Sequence, residues 1–432
     1  MGGTGRAVGI DFGTTNCAIA VAESGGVPRL ARFPSRDGST ETFRSILYFE
    51  RDADGRAPHS SAGPRAIEGY LEPQDEGRLV QSLKSFLGSR LFSQTSVLGT
   101  TYRLEALIAL ILRELREGAE RQFGPLGERI VVGRPVHFAN AEGPDDESLA
   151  LQRLRAAFHN AGFGDVIFEF EPVAAAYFYE SSLDHDELIA IADFGGGTSD
   201  FSLLRVGPGR RAAGTGEGAV LGTSGVALAG DCFDGAIVRE LVAPALGLGA
   251  WVRSPFGRTL RVPEWIYAHL QRWNHLSFLK SRKTLRILYD LRREALEPER
   301  LEALLYVVEN DLGFQLYRAV QSAKFELSGA DASEFAFREG PVGITRPVAR
   351  SDFEAWIAPE LAEIEACLDT LLASSGVEPG DVDRVFLTGG SSFVPAVRGL
   401  FAARFGADKL RSGSELTSVA SGLALRAREL PA

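Results

Sequence analysis

The sequence predicts an α/β protein made of two related lobes, and three observations carry that prediction. The run Asp11-Phe12-Gly13-Thr14-Thr15 recurs as Asp193-Phe194-Gly195-Gly196-Gly197-Thr198, roughly half a chain away, the mark of a duplicated structural unit. Each copy ends one apolar run and precedes another, which reads as strand, polar turn, strand. The chain has 432 residues, more than one core of about 250–300 residues accommodates. Residues 1–187 are expected to form lobe I, with a small insert at about 38–105. Residues 188–432 are expected to form lobe II, with a helical insert at about 229–330.

The elements follow in order. Ala7–Gly13 reads as a buried strand, Ala18–Glu23 as its hairpin partner and Arg44–Glu50 as a further strand. Arg51–Pro64 is rich in Gly, Pro and Asp and reads as a loop. Leu79–Leu91 and Glu105–Phe123 carry apolar residues at helical spacing. Ile130–Val136 is a buried strand. Asp145–Ala161 is a helix with acidic residues in its first turn and Gly162 as its C-cap. Leu188–Asp193 and Ser202–Val206 form the second hairpin. Gly230–Ser328 reads as mostly helical. One stripe there is Trp265, Leu270, Trp273 and Leu276; another is Leu301, Leu304, Leu305 and Val308, with Pro298 near its start. At such spacing Trp251, Trp265 and Trp273 read as core rather than as a partner site. Gln315–Ser328 is a helix closed by Gly329. Arg384–Leu387 is a last strand running into Thr388-Gly389-Gly390-Ser391.

Composition narrows the function classes. Hydrophobic residues make up 45% and charged residues 24%, ordinary for a globular chain. A net charge of −11 disfavours nucleic acid and anionic membrane as partners. Cys17, Cys232 and Cys367 are widely spaced with no CxxC, so neither a disulfide framework nor a zinc site is expected. The six histidines show no ligand spacing and no G-x-S-x-G is present. No run is long enough to span a bilayer and the first residues are not apolar, so a cytoplasmic location is expected.

The chemistry sits at the turns. A Gly/Thr-rich turn after a strand offers backbone amides without side-chain bulk, a phosphate cradle. Thr14, Thr15 and Thr198 add hydroxyl donors. Asp11 and Asp193, at the strand ends, suit a hydrated Mg²⁺, which takes one or two carboxylates plus waters and phosphates. Gly389, Gly390 and Ser391 form a third glycine site that lets backbone approach an adenosine or its α-phosphate.

Four segments occur in order: Ile10–Asn16, Glu171-Pro172-Val173-Ala174-Ala175-Ala176, Asp193–Asp200 and Thr388–Pro395. Together they resemble the nucleotide-binding domain of the 70-kDa heat-shock protein family, the DnaK-type chaperones. The resemblance spans nearly the whole chain and is closest to the truncated YegD-like branch, which lacks a substrate-binding domain. It implies the actin-like ATPase fold, two lobes with a nucleotide cleft between them, and ATP/ADP with Mg²⁺ as ligands. It also implies a co-chaperone or other protein partner. By resemblance, Asp11, Gly13, Thr14, Thr15 and Asn16 form the first phosphate loop, and Gly195, Gly196, Gly197 and Thr198 the second. Lys84 corresponds to the lysine that reaches the γ-phosphate and the attacking water. Glu171, Asp193 and Asp200 correspond to the carboxylates that orient water and metal. Pro135 and Arg155 resemble a conformational-switch pair. Gln321, Lys324 and Ser328 resemble the adenosine-contacting helix face. Gln321 stands where the family usually has Glu, Phe325 and Phe393 where it has arginine stems, and Leu416 where it often has Asp. Phosphate chemistry thus reads as retained and base recognition as altered, with Phe393 a candidate for stacking on the base.

The expected function is a slowly hydrolysing, chaperone-like ATPase switch coupled to lobe closure. Two alternatives are a non-catalytic nucleotide sensor or scaffold and a small-molecule (sugar) kinase of the same superfold. The Glu-Pro-Val-Ala-Ala motif argues against the kinase.

Overall fold

A computed structural model describes residues 6–35, 38–51, 58–71, 77–127, 129–180, 183–209, 220–253, 258–272, 279–411 and 418–430. Trp273, His275, Leu276 and Leu416 lie outside the described residues. Contacts divide the chain into two compact units. One comprises residues 1–229, 364–392 and 399–432; the other comprises residues 230–363 and 393–398.

The first unit contains two sheets with the same plan. In the first, β1 (Ala7–Phe12) pairs antiparallel with β2 (Asn16–Ala22), which pairs with β3 (Arg29–Leu30). On its other side β1 pairs parallel with β4 (Arg129–Arg134), which pairs with β5 (Val166–Phe170). The second sheet repeats this. β6 (Glu187–Phe194) pairs antiparallel with β7 (Ser199–Val206), and β7 with β8 (Val220–Val226). Then β6 pairs parallel with β9 (Arg384–Thr388), and β9 with β10 (Leu410–Arg411). The sequence repeat is therefore a repeat of sheet topology.

Residue size decides how each face of the first sheet is covered. Side chains alternate across a strand. Val8, Ile10 and Phe12 of β1 join Cys17, Ile19 and Val21 of β2 in one core. That core also holds the apolar stripe of α1 (Leu104–Phe123) and of α2 (Pro144–Asn160). The opposite face carries small residues, Ala7, Ala18, Ala20 and Ala22, in a second core. There α3 (Glu171–Glu180) contributes Ala174, Ala175 and Ala176, and α4 (Ser418–Glu429) contributes Val419, Ala420, Leu423 and Ala424. Small residues on strands and helices let backbones approach closely. A Cβ on Gly422 of α4 would lie 1.7 Å from the Ala174 carbonyl oxygen of α3.

Three expectations are corrected. Within the span expected as a loop, Pro58–Ala62 is a strand paired with Ile46–Arg51. Leu79–Leu91 is not a helix: Gly77–Gln81 is a strand on the other edge of Ile46–Arg51, and Leu83–Phe86 is a single 3₁₀ turn. Its leucines recur every fourth residue, but Leu83 and Leu87 are buried while Leu91 is fully exposed. The helical expectation for 230–328 fails at Trp251–Arg253 and Thr259–Arg261, which form a hairpin.

The second unit is otherwise largely helical, with Leu301, Leu304, Leu305 and Val308 buried on Pro298–Glu309 as expected. Trp251 and Trp265 are not core residues; each is 43% exposed. Phe325, at one of the two arginine-stem positions, is 79% exposed. Among the described residues no helix is long and apolar enough to cross a membrane.

Candidate active site

The two Gly/Thr turns have the same length and the same closing bond. In the first, Asp11 lies opposite Ala18 and the Gly13 amide donates to the Asn16 carbonyl at 3.0 Å. In the second, Asp193 lies opposite Asp200 and the Gly195 amide donates to the Thr198 carbonyl at 2.9 Å. The copies differ where Ala18 of the first is replaced by Asp200 in the second.

Ser45, not singled out from the sequence, pins the first turn. Its hydroxyl donates to the Gly13 carbonyl at 2.7 Å and its amide to the Thr15 carbonyl at 2.9 Å. Asn16 Oδ1 accepts from Arg44 at 3.3 Å. In the second turn the Thr198 hydroxyl donates to Asp200 Oδ2 at 2.9 Å, and the His137 amide approaches Asp200 Oδ1 at 3.4 Å. The Thr388 hydroxyl, on the adjacent strand β9, donates to Asp193 Oδ1 at 2.6 Å. Gly389 follows with φ +81°, and a Cβ there would lie 2.0 Å from the Phe194 carbonyl. Only glycine suits both that backbone and that approach. Ser391 is buried in the 3₁₀ turn Gly390–Phe393.

Lys84 and Glu171 are buried and paired, with Nζ 2.6 Å from Oε1. Lys84 stands on the 3₁₀ turn Leu83–Phe86, and Glu171 is the first residue of α3. Arg153 on α2 steadies the lysine's segment by donating to the carbonyls of Phe86, Leu87 and Ser89 at 3.3, 3.0 and 2.8 Å.

Five charged groups meet here, and they act on one another. Burial pushes the Asp11 carboxyl well above the usual carboxylate range; Glu171 and Asp193 push it further, against the pull of Lys84. Burial and the charge of Glu171 raise Asp193 to about 6. Burial, then Glu171 and Asp193, raise Asp200 to about 8. Burial works against the Lys84 ammonium, but Glu171, Asp11 and Asp200 outweigh it, so Lys84 stays charged.

A stability prediction follows from the sign of these shifts. A carboxylate whose folded-state pKa is raised keeps its proton in the folded state after the unfolded chain has lost it. Stability is then undiminished below about pH 4 and falls as pH rises toward the folded-state value. The ligand-free protein is expected to melt at a lower temperature at about pH 8 than at about pH 5, and Asp200→Asn to flatten that dependence. Thermal unfolding monitored by circular dichroism at the two pH values checks it.

A second network borders the cluster. Arg134, at the end of β4, donates to Glu147 Oε2 at 3.2 Å and lies over the rings of Phe138 and Phe170. Glu147 Oε1 accepts the Phe138 amide at 3.0 Å and lies 3.4 Å from His137 Nδ1. These contacts shape the loop that carries the His137 amide to Asp200. Pro135 lies in this loop. Arg155 is held elsewhere, donating to the Val166 carbonyl at 2.9 Å and lying over Phe168.

Gln321, Lys324, Ser328 and Phe393 belong to the second unit. Gln321 donates to the Tyr317 hydroxyl. Lys324 Nζ lies 2.6 Å from Asp234 Oδ1, and the Ser328 hydroxyl donates to the Lys324 carbonyl at 2.9 Å. Phe393 is half-exposed.

A family model described as Hsp70 protein matches residues 80–245 and 308–431, about two thirds of the chain. The chain belongs to the Hsp70 family. It therefore has the actin-like ATPase fold and is a nucleotide-binding protein of the chaperone type. Members of the Hsp70 family bind ATP or ADP with Mg²⁺. The matched stretches contain Lys84, Glu171, Asp193, Asp200 and the second turn; the first turn precedes them.

Mg²⁺ fits the residues present. Among the described residues no three side chains form a ready-made metal group, but Mg²⁺ needs only one or two carboxylates beside water and phosphate oxygens. Asp11 and Asp193 are strand-end carboxylates raised by burial and by the charge of Glu171, a strain that a nearby cation relieves.

Proposed function

We propose that the protein binds Mg·ATP at this cluster and hydrolyses it slowly, as a cytoplasmic, chaperone-type switch read by a co-chaperone or other protein partner. The buried Lys84–Glu171 pair among Asp11, Asp193 and Asp200 carries this reading. A cation locked in place by a carboxylate, beside two amide-rich turns, is an arrangement for stabilising phosphoryl charge rather than for holding the fold together. A buried ion pair contributes little net stability.

The residues then have distinct tasks. The amides and hydroxyls of Thr14, Thr15, Gly196, Gly197 and Thr198 bind phosphate oxygens. Lys84 presents its charge to the γ-phosphoryl group as negative charge spreads over its oxygens. Glu171 keeps Lys84 protonated and accepts a hydrogen bond from the attacking water. Asp200, with its raised proton affinity, takes the proton of that water as its oxygen joins the γ-phosphorus and the bridging oxygen leaves with ADP. Asp11 and Asp193 would hold Mg²⁺, which when bound neutralises phosphate charge. Gly389, Gly390 and Ser391, in the same unit as the cluster, take the α-phosphate.

Phosphate release from ATP and GTP, with Mg²⁺ or with EDTA, tests this. Slow, Mg²⁺-dependent release that needs no added sugar is expected. ATP binding with no release at all would leave a nucleotide sensor and overturn the hydrolysis step; release only with a sugar would point to a kinase.

A further inference from the structure

Residues 251–293 lie between the two stretches that the Hsp70 model matches. They hold ten arginines and lysines against Glu264 and Asp290, a net charge of +8. The whole chain carries −11, so the remainder carries −19. The charge is not dispersed. Arg253, Arg258 and Arg261 sit on the Trp251–Arg253 and Thr259–Arg261 hairpin, and Arg282, Lys283 and Arg286 on the helix Arg282–Glu294, which packs against it. All six are exposed. Among the described residues none of the six has a carboxylate partner. Arginines elsewhere on the molecule do find one: Arg404 meets Glu365 and Asp369, and Arg300 meets Glu297.

The hairpin also exposes apolar surface. Trp251 lies opposite Arg261, whose guanidinium stands 5.2 Å from the indole centroid. On the other side of the strand, Val252 bridges to Ala295, and the Leu296 amide donates to the Trp251 carbonyl at 2.8 Å. That register puts Leu296, Trp251 and Arg261 in one row on a common face. Trp251 is 43% exposed, Leu296 47%, and Leu260 on the outer strand 55%. Val252 points to the other face and is buried.

Fold stability does not account for the pattern. Arg282, Lys283 and Arg286 occupy the first turns of their helix, where the dipole disfavours positive charge, and Arg282 and Arg286 are like charges at i,i+4. The helix is already capped by Ser281, whose hydroxyl accepts the Thr284 amide at 3.1 Å. We propose that the Trp251–Arg261 hairpin and the Arg282–Glu294 helix form a docking surface for an acidic polypeptide segment. The Leu296–Trp251 row takes one large apolar side chain of the segment, and the surrounding arginines take its flanking carboxylates. A short peptide fits better than a nucleic acid. Successive bases of a nucleic acid stack on successive aromatic side chains, whereas this row offers one indole, Trp251, beside aliphatic Leu296. The surface does not depend on nucleotide turnover and stands whether or not ATP is hydrolysed.

A fluorescein-labelled synthetic peptide of Asp and Glu around a single Phe, titrated with the full chain and followed by fluorescence anisotropy, tests this. Two comparison probes are the same peptide with Asn and Gln for the acids and a single-stranded oligodeoxynucleotide of equal charge. The acidic peptide is expected to bind, to weaken with added salt, and to lose affinity at least about tenfold in Trp251→Ala and in Arg261→Glu. Arg286→Glu, on an exposed helical position outside the hairpin, serves as a second variant and is expected to weaken binding with an unchanged melting temperature. Four outcomes overturn the proposal: no binding, equal binding of the neutral peptide, tighter binding of the oligonucleotide, or unchanged affinity in Arg261→Glu and Arg286→Glu. Sedimentation that shows a dimer abolished by Arg286→Glu also overturns it, in favour of a second copy of the chain.

Discussion

Lys84→Ala is expected to lower ATP-dependent phosphate release by at least about a hundredfold, the scale for removing one preorganised group that stabilises transition-state charge. The geometry makes Lys84 hard to replace. Its ammonium is buried, paired to Glu171 at 2.6 Å and kept protonated despite burial. Its charge pulls on the Asp11 and Asp193 carboxyls, and Asp200 in turn helps to keep it protonated. The substitution also leaves Glu171 buried among three carboxylates. Breaking a buried pair costs about 3–5 kcal/mol, reduced here to the extent that the cluster takes up protons. The loss of activity is therefore measured on protein shown by circular dichroism to be folded. Full activity in folded Lys84→Ala protein would remove Lys84 from the mechanism.

The largest effect on stability is expected at Gly422. Gly422→Ala places a methyl group 1.7 Å from the Ala174 carbonyl. The methyl is fixed rigidly to one helix backbone and the carbonyl belongs to the other, so no rotamer change relieves the overlap. The alternating alanines of β1 and β2 bring α4 and α3 together, and separating them loosens the small-residue core and shifts the first turn of α3, which carries Glu171. Destabilisation by about 3 kcal/mol or more is expected, the range of overpacking without relief. Urea unfolding of wild type and variant measures it. A change below about 1 kcal/mol would show that the helices separate freely.

The residues that show the site in the sequence are those whose chemistry is local. Two Asp-Phe-Gly turns of equal length are visible as strings, and they fold into equivalent hairpins because their closing bonds, Gly13 to Asn16 and Gly195 to Thr198, span only three residues. Lys84 stands out in a lysine-poor chain, yet nothing in the string says that it meets a group 87 positions away. Ser45 and His137 carry no local mark for the same reason: their partners, Gly13 and Asp200, lie 32 and 63 positions away. Periodicity misled where a leucine every fourth residue crossed a strand and a 3₁₀ turn. It also misled at Trp251 and Trp265, whose spacing suggests core but whose surfaces are open. A hairpin face and a helix face can be equally regular in sequence; which is covered depends on what packs above it.

The central claim is that the buried carboxylate cluster is the site of Mg²⁺ and nucleotide phosphate, and it carries a proton signature. Asp200 at about 8 holds its proton at pH 7 in the ligand-free protein, while Asp193 at about 6 is mostly ionised, and a bound cation favours the ionised form of both. Titration calorimetry of ATP into the protein with Mg²⁺, repeated at pH 7 in buffers of different ionisation enthalpy, tests it most directly. Mg²⁺-dependent binding that releases about one proton, seen as an enthalpy that changes with the buffer, is the expected result. Binding with no proton exchange, or binding indifferent to Mg²⁺, would place the nucleotide away from Asp193 and Asp200 and contradict the account.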